Sequence, residues 1–467
     1  MTTKQKWVMG LTAIASLVVA LDVTVVATAL SSIRLHLKAS ITELEWTVNA
    51  YGLSFAVLLM SGTALGDRFG RRRLFAAGLG LFVASSAACA LAPNVGVLIA
   101  ARAVQGIGAA VITPTALALL TMSFPVERRG MALGIFGGIT GLAVLAGPVV
   151  GGAVTQGLAW QWIFWLNVPI GLLAIPFVLT RIDESRGPQV GLDIPGIALV
   201  TGSTLGLVWG LVRGNAAGWG SAEVVGMLAA GVLLGAAFVA WERRATAPML
   251  PLALFRSREF ALGNATNFLQ FGALFSAVFF IPQFLQTGLG HGPLDTGLRL
   301  LPWTGVVFMI SPLAGVLSDR IGGRPLIVLG LLIQAAGMLW IALIARSTLP
   351  YSHLVAPLIL AGAGISLSIP PSQNVVVSAV QGDDIGKASG TFSMTRQLGG
   401  AFAVAIGVAV FSGAGSYVSP QSFSSGFASA IAVSAALSFG GALTGALLKP
   451  RRSESAVAGV PVPALES

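Results

Sequence analysis

The chain has 467 residues, 55% hydrophobic and only 9% charged, with a mean hydropathy of +0.86. Soluble domains carry about 25% charged residues, so this composition excludes a water-soluble globule and points to an all-α integral membrane protein. Its apolar runs approach the ~20 residues of a bilayer-crossing helix, too long for barrel strands.

The start "MTTKQKWVMG" leads into a long apolar run and imitates a signal peptide. The run is too long, holds Asp22 and lacks a clear small-x-small cleavage site, so it reads as an uncleaved first span. Fourteen spans are expected, near residues 7–30, 47–66, 74–92, 95–122, 130–154, 161–180, 192–212, 222–241, 260–282, 296–317, 325–345, 353–379, 388–411 and 427–448. The tail from Lys449 is polar and Pro-containing, and reads as a disordered cytoplasmic end. A single cysteine, Cys89, excludes an intrachain disulfide.

Basic residues orient the spans. With both termini cytoplasmic, 20 of the 27 Lys and Arg residues fall on the inner side, 5 on the outer side, and Arg102 and Arg396 inside spans. That asymmetry follows the positive-inside rule and accounts for the net charge of +10 without nucleic acid, since basic loops face anionic lipid. Trp160, Trp162 and Trp165 cluster at one outer boundary, as an aromatic belt does.

The chain repeats itself. "LGDRFGRRR" (residues 65–73) matches "LSDRIGGRP" (residues 317–325) at an offset of 252, and "GMALGIF" (130–136) matches "GKASGTF" (386–392) at 256. Two matches at nearly one offset imply a duplicated six-span bundle with spans 7 and 8 inserted. The expected divisions are residues 1–186, 187–258 for the inserted pair, 259–448, and the tail 449–467. Parallel repeats of this kind mark transporter folds with a central site between the halves.

Asp22 stands in "LVVALDVTVVATAL" (residues 17–30), where an ionised carboxylate is costly unless paired or neutralised. Every other acid is expected in a loop or near a span end. A carboxyl group that alternates between a desolvated setting and a nearby cation can take up and release a proton. Arg102 is the candidate partner: at 1.5 Å rise per residue both lie roughly 12–14 Å below the outer surface. The competing readings are a permanent structural ion pair and an Arg102 that snorkels outward.

With these motifs in view, the sequence resembles the major facilitator superfamily, and specifically its fourteen-helix branch of drug:proton antiporters. "LDVTVVATAL" resembles that branch's first-helix motif, with Asp22 as its acid. "GDRFGRRR" resembles the superfamily's inner-loop motif, repeated as "GVLSDRIGGR", and "RAVQGIGAA" (102–110) resembles the fourth-helix motif with Arg102 and Gln105. "GPVVGG" (147–152) resembles the fifth-helix antiporter motif, to which Gly134, Gly147, Pro148, Gly151 and Gly152 belong. Thr63 and Ala143 stand where those motifs usually have glycine.

The resemblance implies two six-helix bundles that rock about a central site, plus two inserted helices. It implies export of lipophilic drugs, toxic compounds or natural products in exchange for protons across a bacterial cytoplasmic membrane. Asp67, Arg68, Gly70 and Arg71, with their second copy Asp319, Arg320, Gly322 and Arg324, form an inner-loop latch, and Asp67 can face the N-terminal end of span 13. Small residues on span 5 let helices approach and slide.

Span 9 carries Asn267, Gln270, Phe271, Leu274, Phe275 and Val278 on one helical face. Two amides and two aromatic rings there suit flat lipophilic molecules, and Gln105, Arg396 and Gln397 are further cavity candidates. Arg396 has no acid within its own bundle's spans, so it can meet an anionic substrate group or a carbonyl.

"GDDIGKAS" (382–389) fails the phosphate-loop pattern, because Gln381 and Ala388 stand where Gly and Ser/Thr are required. No zinc spacing or nucleophile–base pair is present, so no enzyme, metal or cofactor is expected and energy coupling falls to an ion gradient. The expected partners are a small lipophilic substrate, protons and membrane lipids, with no nucleic acid or nucleotide, for a monomeric carrier. The alternatives are a proton-coupled importer and a non-transporting sensor or scaffold on the same fold.

Overall fold

A computed structural model describes residues 1–186, 191, 193–246, 248–250, 252–380 and 384–449. The expected disordered tail, from residue 450 onward, lies outside the described residues.

Fourteen long helices carry the described chain: α1 (Thr3–Leu37), α2 (Ile41–Phe69), α3 (Arg71–Ala90), α4 (Val95–Ser123), α5 (Val126–Gly157), α6 (Asn167–Arg181), α7 (Ile194–Ala217), α8 (Ala222–Glu242), α9 (Arg258–Gln283), α10 (Leu301–Ile321), α11 (Gly323–Ile344), α12 (Ser352–Ser378), α13 (Asp384–Ala414) and α14 (Pro420–Ala446). Short helices Trp162–Trp165 and Pro293–Arg299 precede α6 and α10. Thirteen helical stretches among the described residues are long and apolar enough to cross a membrane. The fourteenth long helix, α2, lies between α4 and α13.

Local chemistry sets the helix ends. Thr2 with Gln5, and Ser40 with Glu43, make capping boxes that start α1 and α2. Asn94, Ser221, Ser257 and Ser419 cap α4, α8, α9 and α14 through their side-chain oxygens. Prolines inside α4, α5, α10 and α12 do not end those helices, as is common in membrane spans.

The first six helices pack together, α1 on α4 and α5, α2 on α4, and α3 on α4 and α6. The last six repeat the pattern, with α9 on α13 and α14, α10 on α12, and α11 on α12 and α14. The halves meet along two seams, α2 against α13 and α5 against α10. The sequence repeat relates α2 to α10 and α5 to α13, so each seam is the image of the other. The α7–α8 hairpin lies outside both bundles, with α7 against α2 and α13.

The two ends of the molecule differ. The end bearing Lys4, Arg68, Arg71, Arg72 and Arg73 is the basic end. At the opposite end one apolar cluster spans both halves, joining Leu30 and Ile33 of α1 and Phe164 to Phe280, Trp303 and Phe427. There Gln286 donates to the Thr28 carbonyl at 2.8 Å, and the Arg34 guanidinium stacks over Tyr417 at 4.1 Å. Toward the basic end the buried clusters belong mostly to one half each. The exceptions, formed by residues such as Val57, Val208, Met394 and Ala401, run along the α2–α13 seam with the hairpin.

Candidate functional site

Asp22 and Arg102 form an ion pair inside the first bundle, each almost wholly buried at 2% and 1% exposure. The helices that hold them pack side by side, so two residues of equal depth meet. Gln105, one turn after Arg102, donates to Asp22 Oδ1 at 3.0 Å, and Asn167 at the start of α6 donates to the same oxygen at 3.3 Å. Both amides also donate to Ser86 Oγ of α3, at 2.7 and 3.2 Å. Arg102 gives its Nε–H to the Thr47 carbonyl of α2 at 3.2 Å and one NH1 hydrogen to Gln105 Oε1 at 2.7 Å. Its guanidinium lies 4.3 Å from the centre of the Tyr51 ring.

Five helices therefore meet in one hydrogen-bond network around the Asp22 carboxylate. A buried charge pair persists only when its remaining lone pairs and hydrogens find partners, and here both Asp22 oxygens and the Arg102 Nε and Nη1 groups have them. Protonating Asp22 would cancel the attraction to Arg102 and weaken the hold of the two amides. That makes the cluster a place where one proton alters the contacts among α1, α3, α4 and α6.

A cavity opens beside the pair, between the halves. Val23, Tyr51, Arg102, Phe275, Gln397 and Gly400 are among its walls. Phe275 and Gln397 thus face the central space as substrate candidates, whereas Gln105 belongs to the Asp22 network. Phe271 is buried and lies 5.5 Å from the Arg396 guanidinium. Asn267 and Gln270 turn into their own bundle instead. Asn267 donates to the Phe392 carbonyl and Thr395 Oγ1, at 2.7 and 2.8 Å, and Ser372 donates to Gln270 Oε1 at 2.9 Å. These bonds tie α9 to α13 and α12, while Asn267 Oδ1 and Gln270 Nε2 stay buried without a partner.

The fifth-helix glycines lie at close helix approaches. A Cβ at Gly147 or Gly151 would strike Thr24, Val25 or Thr28 of α1, and one at Gly152 would strike the Pro293 carbonyl. Gly297 packs equally closely on the Pro148 carbonyl. The side chain at position 134 lies outside the described residues.

In the loop between α2 and α3, Asp67 accepts from Arg71 Nε at 2.8 Å, a partner in the same bundle. Gly70 turns the chain with φ +105°, and Gly322 does so in the second copy with φ +85°. Arg68 is exposed beside Phe69, and Arg320 is exposed. Arg324 donates to the Ala446 carbonyl at 3.1 Å, and the Asp319 side chain lies outside the described residues.

Asp22 is not the only acid buried in a span. Glu45 is 0% exposed within α2, which starts at Ile41, earlier than the apolar run indicates. Its Oε1 accepts from Asn49 at 2.7 Å, and Asn49 also donates to the Ala401 carbonyl of α13 at 3.2 Å. The capping box Ser40–Glu43 was the signal that placed this helix start. Ser86 and Asn167, small polar residues within apolar stretches, carried no such signal. Outside the spans, burial pushes the Asp193 carboxyl up, but the Gly196 N–H and the Trp241 indole outweigh it and hold the group below its usual range.

A family model described as Major Facilitator Superfamily matches residues 12–404, and again 265–464. The tetracenomycin C resistance and export protein of Streptomyces glaucescens is 36% identical over 399 residues, covering 84% of this chain and 73% of that protein. The puromycin resistance protein pur8 of Streptomyces alboniger is 36% identical over 409 residues, covering 86% and 80%. Among solved structures, a D-xylose-proton symporter superposes with a TM-score of 0.67 at 16% identity, covering 95% of this chain and 98% of that one. At that identity the likeness is one of fold. With a family model spanning most of the chain and two repeat-related seams between its halves, the protein is a multi-pass membrane transporter and belongs to the Major Facilitator Superfamily.

Proposed function

We propose that the protein is a proton-coupled antiporter of the fourteen-helix drug-export branch, which expels lipophilic drugs or natural products by alternating access. The observation that carries the reading is the Asp22–Arg102 pair, buried beside a cavity between the halves. The two Streptomyces relatives, named for antibiotic resistance, favour export over import. The excess of basic residues at one end favours a cytoplasmic location for that end and for both termini. In that orientation the apolar seal at the opposite end corresponds to an inward-facing carrier.

Proton binding at Asp22 and substrate binding in the cavity are linked because each alters the free energy of the other. A proton entering down its gradient loosens the Asp22 cluster and resets the carrier. Asp67 and its partners at the basic end act as the latch that sets the rate of exchange between states.

The test is a panel of dyes and antibiotics in efflux-deficient cells, with and without the protein. Export of several lipophilic compounds that stops when a protonophore collapses the gradient supports the reading. Uptake in place of export, or export insensitive to the gradient, overturns it.

A further inference from the structure

A second cavity, of about 350 Å³, lies at the end opposite the basic one, where α11 gives way to α12. Trp340, Leu343, Arg346, Leu349, Ser352 and His353 are among its walls. α11 ends at Ile344, and a turn closed by the Leu349 N–H on the Arg346 carbonyl leads into α12 at Ser352. Small-molecule sites run from ~300 to 1,000 Å³, so this volume suits a polar headgroup and not a whole lipid.

Two basic side chains stand in this cavity without a counter-charge. Among the described residues, neither the Arg346 guanidinium nor the His353 imidazole makes an ion pair or a side-chain hydrogen bond. The Trp340 indole and the Ser352 hydroxyl likewise donate to no recorded acceptor. No carboxylate lines the space. Asp295, an acid near the start of α12, is already held by Arg299 at 2.9 Å and His291 at 2.8 Å. Four side-chain donors and a positive charge thus surround a volume that contains no acid.

The apolar surroundings narrow the ligand further. Leu329, Leu332, Leu339 and Leu343 form an exposed row along α11, while Leu331, Gln334, Met338 and Ile341 on its other side are buried in the bundle. An exposed leucine row on a membrane-spanning helix faces acyl chains. Trp340, also exposed, stands where that row meets the cavity, as tryptophans do at the membrane–water boundary. A soluble anion makes no use of the row, whereas a phospholipid fills both parts.

We propose that this cavity holds the headgroup of an anionic phospholipid, with its phosphate on Arg346 and His353 and an acyl chain along the leucine row of α11. Basic groups near a bilayer surface attract anionic lipid, and Arg346 adds directed hydrogen bonds to a phosphate oxygen. A zwitterionic headgroup brings an ammonium group that finds no carboxylate here. All the lining residues belong to α11, α12 and their connection, so the lipid rides with one bundle while the halves rock.

The experiment places the full chain in phosphatidylcholine nanodiscs doped with phosphatidylglycerol or phosphatidylcholine, each carrying a photoactivatable diazirine near the glycerol end of one chain. Labelled peptides are quantified by mass spectrometry. In the wild type, residues 340–356 should label about tenfold more from phosphatidylglycerol than from phosphatidylcholine. Arg346→Gln should cut that labelling about fivefold and His353→Gln about twofold. Labelling of residues 66–73 at the basic end should stay the same in both variants, which reports an intact fold. An excess of inorganic phosphate should change nothing. Wild-type labelling of residues 340–356 that shows no preference for phosphatidylglycerol overturns the proposal, and this comparison stands even if a variant fails to fold. So does a preference that survives the combined Arg346→Gln and His353→Gln change. Loss of the labelling to inorganic phosphate would assign the cavity to a soluble anion and overturn the lipid.

Discussion

Gly70 and Gly322 stand 252 residues apart and hold the same backbone conformation, φ +105° and +85°. Each ends one helix and begins the next. The offset equals that between Asp67 and Asp319, so the duplicated motif includes a backbone turn as well as charged side chains. At positive φ with extended ψ a Cβ strains the chain by roughly 1–3 kcal/mol, so Gly322→Ala should lower stability by about that amount. Gly70→Ala should cost more. Its Cβ would press on the Glu184 carboxylate, which accepts from the Arg72 and Arg73 N–H groups at the start of α3. Thermal unfolding of the two purified variants checks the order, and a Gly70→Ala protein as stable as wild type would contradict it.

Asp67→Asn should slow turnover several-fold and leave substrate affinity nearly unchanged. The residue holds Arg71 at the basic end, far from the cavity beside Asp22. An amide keeps one acceptor for Arg71 but removes the charge, so the turn loosens without collapsing. Parallel measurements of binding and efflux separate the two effects. A large loss of affinity at unchanged exchange would count against a latch.

Much of this architecture was legible in the residues. The charge asymmetry and the apolar runs marked the spans, and the offset of 252 marked the duplication. Equal depth was enough to bring Asp22 and Arg102 within reach, because depth follows from the fixed rise of a helix. What the pattern could not carry was azimuth. Periodicity put Asn267, Gln270 and Phe275 on one side of α9, but only packing decides which of them meets α12 or α13 and which meets the cavity. Glu45 falls just outside the apolar run that starts at residue 47, because a polar first turn precedes that run, although the capping box at Ser40 opens the helix earlier.

Asp22→Asn should abolish proton-coupled efflux while the protein folds. Asparagine keeps an oxygen to accept from Gln105 and Asn167, so the helices that converge here retain most of their contacts. It has no proton to exchange. Substrate-induced proton release from purified protein, measured in weakly buffered solution, should vanish. Undiminished release from a well-folded variant would remove Asp22 from the mechanism.

The last prediction concerns Asp22 and Arg102 together. Arg102→Ala removes the cation in contact with the carboxylate and also the donors to Thr47 and Gln105. Breaking one side of a buried pair costs about 3–5 kcal/mol, so the variant should be clearly less stable. Its carrier cycle should change in a directed way. With nothing positive beside it, the ionised carboxylate is uncompensated, and the proton leaves only into a more alkaline medium. Efflux should therefore stall near neutral pH and partly recover as pH rises. Asp22→Asn combined with Arg102→Ala should lose much less stability than the sum of the two single changes, as for residues that act as a unit. The check is the pH profile of dye efflux for wild type and Arg102→Ala, with melting curves for both single variants and the double variant. A profile for Arg102→Ala that is scaled down at every pH, with no shift to alkaline values, would show that the pair does not govern proton release.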